Sequence, residues 1–233
     1  MHRQRKSGTA GFLRSACEVP LIINSSHEET ICIETRLHQS DSTAALIAQL
    51  SRPDPGEREQ AGRELFRRGC ALAEPVLRSW FANPAFRALA RAGGPLLTVG
   101  IAVTPVRFEE IRAACGQPTL AEVPLDQDAR EFEIEFAHGV RLDILTPGDP
   151  SGDGALARFL ARFGEGLQQV ECDVRDAGRA TEILREQFAL EPVYPEACTG
   201  AGHTRVNFFL VPLPEGEKVL IELVELPARK SRK

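Results

Sequence analysis

Two carboxylic acids stand within strand-like segments that are otherwise apolar. Asp143 lies in VRLDILTP and Glu222 lies in VLIELVEL. An unpaired carboxylate is costly to bury, so each acid needs a partner if its segment is a buried strand. Two adjacent amides, Gln168 and Gln169, open a third segment, LQQVECDV, after a glycine turn. An amide is an unfavourable first residue of a strand unless its side chain faces water or has a functional role. These acids and amides are therefore the first candidates for a polar site.

The polar residues belong to a pattern that occurs twice between residues 96 and 226. The first copy contains the segments LLTVGIAVTP, VRFEEIRAACG, AREFEIEF and VRLDILTP. The second contains LQQVECDV, ATEILREQFAL, VNFFLVPLP and KVLIELVEL. Each copy predicts a strand, a helix and then several strands. In this alignment Thr98 precedes VGIAV as Gln169 precedes VECDV, and Asp143 matches Glu222.

The repeat predicts an α+β fold in which paired βαβββ modules, about 96–148 and 166–226, form a curved eight-stranded cup. One module alone would leave a sheet face bare, whereas two modules side by side can curl around a shared interior. The opening and closing strands then meet at the floor of the cup, where four side chains converge: Thr98, Asp143, Gln169 and Glu222. Alternation along the strand predicts that Gln168 faces the opposite side.

The order of these segments resembles the vicinal oxygen chelate superfamily, the glyoxalase and bleomycin-resistance fold. Within it the sequence is most similar to methylmalonyl-CoA epimerase. The resemblance covers about residues 96–226 and rests on LTVGIAV, AEVPL, RLDILTP, ALARFLARFGEGLQQV, TGAGHTRVNFFLVP and VLIEL.

The resemblance implies a divalent metal held by four side chains, two of them His on the opening strands and two Glu or Gln on the closing strands. Carried over by position, the ligands are Thr98, Gln169, Asp143 and Glu222. Both His positions are replaced, which leaves only oxygen donors and favours Mg, Mn or Ca over softer metals. Mg, Mn and Co are the metals to test. The alternative is an empty polar cup in which these four side chains hydrogen-bond to one another.

The resemblance also implies a reaction class. Superfamily enzymes stabilise an enolate, so an isomerase, epimerase or lyase acting on a small acid or an acyl thioester is expected. Glu222 and Asp143 would be metal ligands or, without metal, the groups that move the proton. A further carboxylate takes part in the epimerases, and Asp126, Asp128 and Glu131 are the candidates here. The competing hypotheses are a metal-free member that binds a small molecule and an interaction protein that uses its helices.

Residues 42–94 predict a helical unit ahead of the cup. Asp41 or Ser42 can cap the first helix, and Pro55 can start the next. Further helices are expected to end at Gly69, before Pro84 and at Gly93, and the segment resembles one HEAT-type repeat. Because one repeat cannot bury its own face, the unit is expected to pack on the rest of the chain or on a partner protein. Residues 1–41 are expected to be a disordered leader, and residues 227–233 a basic tail.

Composition bounds the function. The chain has 233 residues and a formal net charge of −5, so it lacks the basic footprint of a nucleic-acid-binding protein. Its apolar runs are too short to cross a membrane. Its six Cys are scattered without a C-x-x-C pair, which favours a reduced, cytoplasmic protein. A homodimer is expected from the resemblance.

Overall fold

The structure is a computed structural model that describes residues 42–91, 96–214 and 216–227. The predicted leader, 1–41, lies outside the described residues, as does the predicted basic tail beyond residue 227. In these three described ranges, no helix is both long enough and apolar enough to cross a membrane.

The described residues contain six helices and seven strands. The helices are α1 (42–49), α2 (Pro55–Ala82), α3 (Pro84–Arg87), α4 (Pro105–Ala114), α5 (Ala155–Phe163) and α6 (Ala177–Phe188). The strands are β1 (Leu97–Ala102), β2 (Ala129–Phe136), β3 (Val140–Pro147), β4 (Gly166–Asp173), β5 (Cys198–Thr199), β6 (Arg205–Pro212) and β7 (Lys218–Glu225).

All the described strands belong to one curled sheet with the order β2-β3-β1-β4-β7-β6-β5. The antiparallel pair β1 and β4 joins the two modules at its centre. The repeat is visible in the register, because Gly100 pairs with Asp143 in the first module as Glu171 pairs with Glu222 in the second. This confirms the α+β cup built from paired modules.

The cup has seven strands in the described residues, where eight were expected. The difference lies in the first module, between α4 and β2. There the chain runs beside β2 without forming a ladder, and a single backbone bond joins Ala121 N to Glu131 O at 3.0 Å.

Strand alternation separates a helix-covered face from a cup face. On the helix-covered face, the apolar residues form two clusters, one for each module. The first-module cluster includes Val99, Ile101, Phe132 and Ile144. The second-module cluster includes Val170, Cys172, Phe209 and Ile221. The intervening residues face the cup, so the sheet gives the site its walls and the helices give it support.

Helix α2 is one continuous helix, so the predicted end at Gly69 was wrong. Gly69 is a packing position: a Cβ atom there would lie 2.5 Å from Val99 Cγ1. Gly62 has the same role, because its Cβ would lie 2.4 Å from the ring of Phe136. Pro75 also lies inside the helix. The two glycines are poor helix formers by propensity, but they let the helix approach the sheet closely. Pro75 lies on the exposed side of the helix and takes no part in this contact.

The N-terminal helices pack on the sheet and contribute to both clusters. Leu65, in the first half of α2, belongs to the first-module cluster. Trp80, in the second half, belongs to the second-module cluster and meets Phe209 edge-on with ring centroids 5.9 Å apart. The helix ends at Asn83, whose side chain caps α3. Helix α2 therefore spans the seam between the modules.

Candidate active site

The cup encloses a cavity of about 300 Å³. Both modules contribute to its walls, through the alternate residues of β2, β3, β4 and β7 that face away from the helices. This volume suits a small ligand or the acyl end of a larger one.

Three of the four predicted site residues line this cavity: Asp143, Gln169 and Glu222. Thr98 does not line it. Its side chain lies on the cup side of β1, because Thr98 pairs directly with Glu171. It is almost completely buried and its hydroxyl has no hydrogen-bond partner among the described residues.

Gly100 explains why β1 contributes so little to the cavity wall. A Cβ atom at this position would lie 2.5 Å from Cγ of Gln169. The missing side chain therefore leaves room for Gln169 to lie over β1. The sequence places this glycine where the second module has Glu171.

Gln168 also lines the cavity, so the prediction that it faces the opposite side was wrong. The register between β1 and β4 shifts there, because Gly100 pairs with Gln169 but Ile101 pairs with Leu167. This irregularity leaves Gln168 as an extra residue on β4, and such a bulge disrupts alternation. Both amides consequently contribute to one wall.

Gln169 is held by Glu222. Its Nε2 donates a hydrogen bond of 2.6 Å to Glu222 Oε2, and lies 3.5 Å from Glu171 Oε1. Hydrogen bonding to a carboxylate favours the ionised form. It opposes the burial and the neighbouring acids Glu171 and Glu131, which together hold the pKa of Glu222 well above its usual value.

Glu171 and Glu131 complete an acidic floor that sequence reasoning described only in part. Burial raises the pKa of Glu131 to about 7. Burial and then repulsion from Glu131 raise the pKa of Glu171 to about 8. For Asp143, burial and the charges of Glu131, Glu171 and Glu222 raise the pKa well above its ordinary value. Since like charges in a dry cavity cannot all ionise, the floor holds protonated and ionised carboxyl groups together.

One arginine lines the cavity among the described residues. Arg141 Nη2 lies 2.7 Å from Glu133 Oε2, and its Nη1 lies 4.0 Å from Asp173 Oδ2. Asp173 is also approached by Arg91 Nε at 3.7 Å. Burial raises the pKa of Asp173, while the two arginines lower it. The guanidinium of Arg141 is thus shared by two acids at one end of the cavity.

Two loops meet over the open side of the cup. Gln127 Nε2 donates to Thr199 O at 2.9 Å, and Gly202 N donates to Glu122 O at 3.0 Å. His203 Nε2 lies 3.1 Å from Glu122 Oε2, with both side chains exposed. We call these three contacts the clasp. They join the loops beside β2 and β5, which are the opposite edges of the sheet.

Of the three candidates for a further carboxylate, Glu131 is the one that lies on a strand of the cup, β2, and it lines the cavity. Asp128 lines the cavity, but it occupies a left-handed turn and its Oδ1 accepts a hydrogen bond from Asp149 N at 2.9 Å. Asp126 lies in the short 3-10 turn Leu125–Gln127 and also lines the cavity. Asp128 therefore organises a turn, while Glu131 joins the acidic floor.

The predicted metal ligands include an amide, Gln169, whose orientation bears on metal binding. Gln169 presents its Nε2 donor to Glu222, where a metal would require the amide oxygen. In the part of the chain that the structure describes, no group of three or more His, Cys, Asp or Glu is arranged to hold a metal ion. As folded, the residues do not fit a metal. The ligand set Thr98, Asp143, Gln169 and Glu222 stays a prediction.

Comparison with known proteins decides the family. Methylmalonyl-CoA epimerase from Mycobacterium tuberculosis is 33% identical to this chain. The match covers 57% of this chain and 87% of that protein, with a TM-score of 0.46. The chain belongs to the vicinal oxygen chelate superfamily.

Two other solved structures are also similar to this chain. A variant of the Streptomyces coelicolor methylmalonyl-CoA epimerase, in complex with 2-nitronate-propionyl-CoA, is 26% identical, with 60% of this chain and 99% of that chain covered and a TM-score of 0.45. A hypothetical protein from Bacillus halodurans is 20% identical, with 59% and 99% covered and a TM-score of 0.48. No family model matches the chain, and no curated protein matches it.

Proposed function

We propose that the chain is an isomerase of the epimerase kind, which moves the proton on the carbon next to a thioester carbonyl. The observation that carries the proposal is the placement of Asp143 and Glu222, one from each module, on the wall of a single cavity. Epimerisation requires proton removal on one face of a carbon and proton return on the other. Two carboxyl groups from different modules are suited to that task.

The two groups can take different protonation states. Burial and neighbouring acids raise the pKa of both groups, but at Glu222 the hydrogen bond from Gln169 Nε2 opposes this rise, so Glu222 is the group that can act as the base. Burial and the neighbouring acids favour a protonated Asp143, which can return a proton. In the opposite reaction direction the two roles exchange. Glu131 or Glu171, when protonated, can donate a hydrogen bond to the developing enolate oxygen, as neutral carboxylic acids do in other enolate-forming sites.

The similarity to the Mycobacterium tuberculosis enzyme supports this reaction class. That relative is a methylmalonyl-CoA epimerase. We therefore expect an acyl thioester whose acyl end fits the cavity of about 300 Å³. The rest of such a substrate must pass between the loops of the clasp.

Proton exchange in heavy water tests the proposal. Methylmalonyl-CoA and a panel of other acyl thioesters are incubated with the protein, and loss of the α-proton signal is followed by NMR. Glu222→Gln and Asp143→Asn should each lower epimerisation by about 100-fold or more. Each single variant should retain exchange from the enantiomer that the remaining carboxyl group serves.

Glu135→Gln is the matched control, because Glu135 lies on β2 with Glu131 but is exposed and does not line the cavity. It should leave the exchange rate unchanged. Absence of exchange with every thioester, from a folded protein, would contradict the proposal. Ligand affinity without exchange would instead support a binding protein of this superfamily.

A further inference from the structure

The cavity is strongly unbalanced in charge. Its lining contains eight acidic residues and, among the described residues, one basic residue, Arg141. That arginine is shared between Glu133 and Asp173. The acids of the floor, Glu131 and Glu171 among them, have no cation of their own in the described residues.

Asp143 is the buried acid of the cavity that has no partner among the described residues. Its side chain is 7% exposed and lines the cavity. Among the described residues it accepts no side-chain hydrogen bond and forms no ion pair, and the charged groups acting on it are other acids. A buried carboxyl group without any partner is costly, so this position favours a donor brought by a ligand.

A second acceptor faces the same space. Gln168 Oε1 is buried and has no hydrogen-bond partner in the described part of the chain, and Gln168 lines the cavity because of the bulge in β4. An amide oxygen and a carboxyl group can both accept from N–H donors. The wall therefore offers hydrogen-bond acceptors. A ligand carboxylate would add further acceptors and a further negative charge, so it does not suit this wall.

Two aromatic rings complete the surroundings. Tyr194 and Phe208 both line the cavity and meet edge-on, with centroids 5.8 Å apart. Aromatic faces attract a cation and also suit the methylene groups that carry it. A primary ammonium on a short carbon chain has the charge, the donors and the size that this cavity accommodates.

We propose that the acyl group recognised by this cavity carries an ammonium group, so that the substrate is a thioester of a small amino acid and not of a dicarboxylic acid. This inference rests on the proposed function, since it names the substrate of the same site. One carboxyl oxygen of Asp143 would accept from the ammonium group, with the Gln168 amide oxygen as a second acceptor, and the other oxygen of Asp143 remains for the α-proton. Such a cation would also offset the negative charge of the eight acids that line the cavity.

Three isosteric probes separate the alternatives. The N-acetylcysteamine thioesters of 3-aminopropanoic, butanoic and succinic acid differ only in the terminal group, which is ammonium, methyl or carboxylate. Isothermal titration calorimetry with the full-length protein measures the Kd of each. We expect the ammonium probe to bind at least about tenfold more tightly than the methyl probe, and the carboxylate probe to bind most weakly.

Asp143→Asn should remove the preference for the ammonium probe, whereas Glu135→Gln should retain it. If Asp143→Asn does not fold, as judged by circular dichroism, Glu131→Gln provides the same comparison. Tightest binding of the carboxylate probe, or equal binding of all three, would overturn the inference. Binding of Mn²⁺ that depends on Asp143, with no affinity for the ammonium probe, would overturn it in favour of a metal site.

The same probes separate this inference from the proposed function. Selective binding of the ammonium probe without exchange of its α-protons in heavy water would support the ammonium ligand and contradict the proposed isomerase activity. Exchange of the succinyl probe in preference to the aminopropanoyl probe would support the enzyme activity and contradict the ammonium-bearing substrate.

Discussion

At the scale of single residues, the site is a set of acids whose proton affinities are set by one another. Gln169 is the single neutral side chain that bonds to Glu222 in the described structure, and it does so through a donor. The family resemblance predicts an imidazole ligand at this position. The amide found there donates to a carboxyl group and so affects its proton affinity.

Replacing Gln169 should shift the pH dependence of any proton-transfer activity. In Gln169→Leu the Glu222 carboxylate loses its hydrogen-bond donor, so its pKa should rise further. A base with a higher pKa is ionised over a smaller pH range. The activity at neutral pH should therefore fall, and the rising limb of the pH–rate profile should move to higher pH. The rate measured from pH 5 to 9 tests this, with Gln60→Leu on the exposed face of α2 as the control. An unshifted limb would contradict the role given to Gln169.

The acidic floor should also make the folded protein less stable at alkaline pH. Glu131 and Glu171 have pKa values of about 7 and 8 in the folded chain, above the value of about 4.3 expected in the unfolded chain. Between these values the folded state binds more protons, so the free energy of unfolding decreases as the pH rises from about 5 to 8. The stabilising contribution is complete below the unfolded value and is lost above the folded one.

Thermal melting at pH 5, 6.5 and 8 measures this dependence. The Tm should fall with increasing pH, and the fall should be smaller in Glu171→Gln, which cannot ionise. Glu135→Gln should melt with the same pH dependence as the parent chain. A Tm that rises over this range would show that the floor is already paired with a cation.

At the scale of elements, the sequence predicted the strands and their cup-facing acids better than it predicted the helices. Asp143 and Glu222 were identifiable because each interrupts apolar neighbours. Glu171 had an available signal, since in LQQVECDV it lies two residues after Gln169 and alternation puts both on one face. The bulge at Gln168 left no signal, because it depends on the register with β1.

Helix α2 shows why the remainder was not predictable. Gly69 is a poor helix former by propensity, and the sequence alone gave no reason to read through it. The reason lies in a different element: Val99 on β1 occupies the space that a side chain at residue 69 would need. Tertiary packing therefore determined a feature that local preference contradicted.

Gly69→Ala should destabilise the protein although alanine is the better helix former. The new methyl group would overlap Val99 Cγ1, at a cost of about 1–3 kcal/mol, against a propensity gain of about 1 kcal/mol. Urea unfolding measures the difference. Val99→Ala in the same chain should recover part of the loss, and this coupling separates a clash at the helix–sheet contact from a general effect. Ala71→Gly, on the exposed side of α2, is the control for propensity.

At the scale of the whole molecule, one helix belongs to the cores of both modules. Leu65 and Trp80 lie in the same helix but in different clusters. A repeat whose halves merely pair at β1 and β4 could separate when one half is weakened. Here the loss of either cluster also removes a support of the other.

The chain should consequently unfold as one unit. Trp80 is the only tryptophan and reports on the second-module cluster. Leu65→Ala removes packing from the first-module cluster and should cost about 2–5 kcal/mol. If the modules are coupled, the Trp80 fluorescence midpoint in urea should fall together with the circular-dichroism midpoint. A fluorescence transition that stays unchanged while the dichroism shifts would show independent modules.

The clasp has a kinetic consequence for the cup. The sheet supplies the walls, but the two edge strands are held together across the opening by Gln127 with Thr199 and by Glu122 with Gly202 and His203. A molecule in the interior leaves when those few bonds part, and they lie at the surface, where water competes for them. Residence time in the cup is then governed by the breathing of two loops, separately from the affinity that the acidic floor provides.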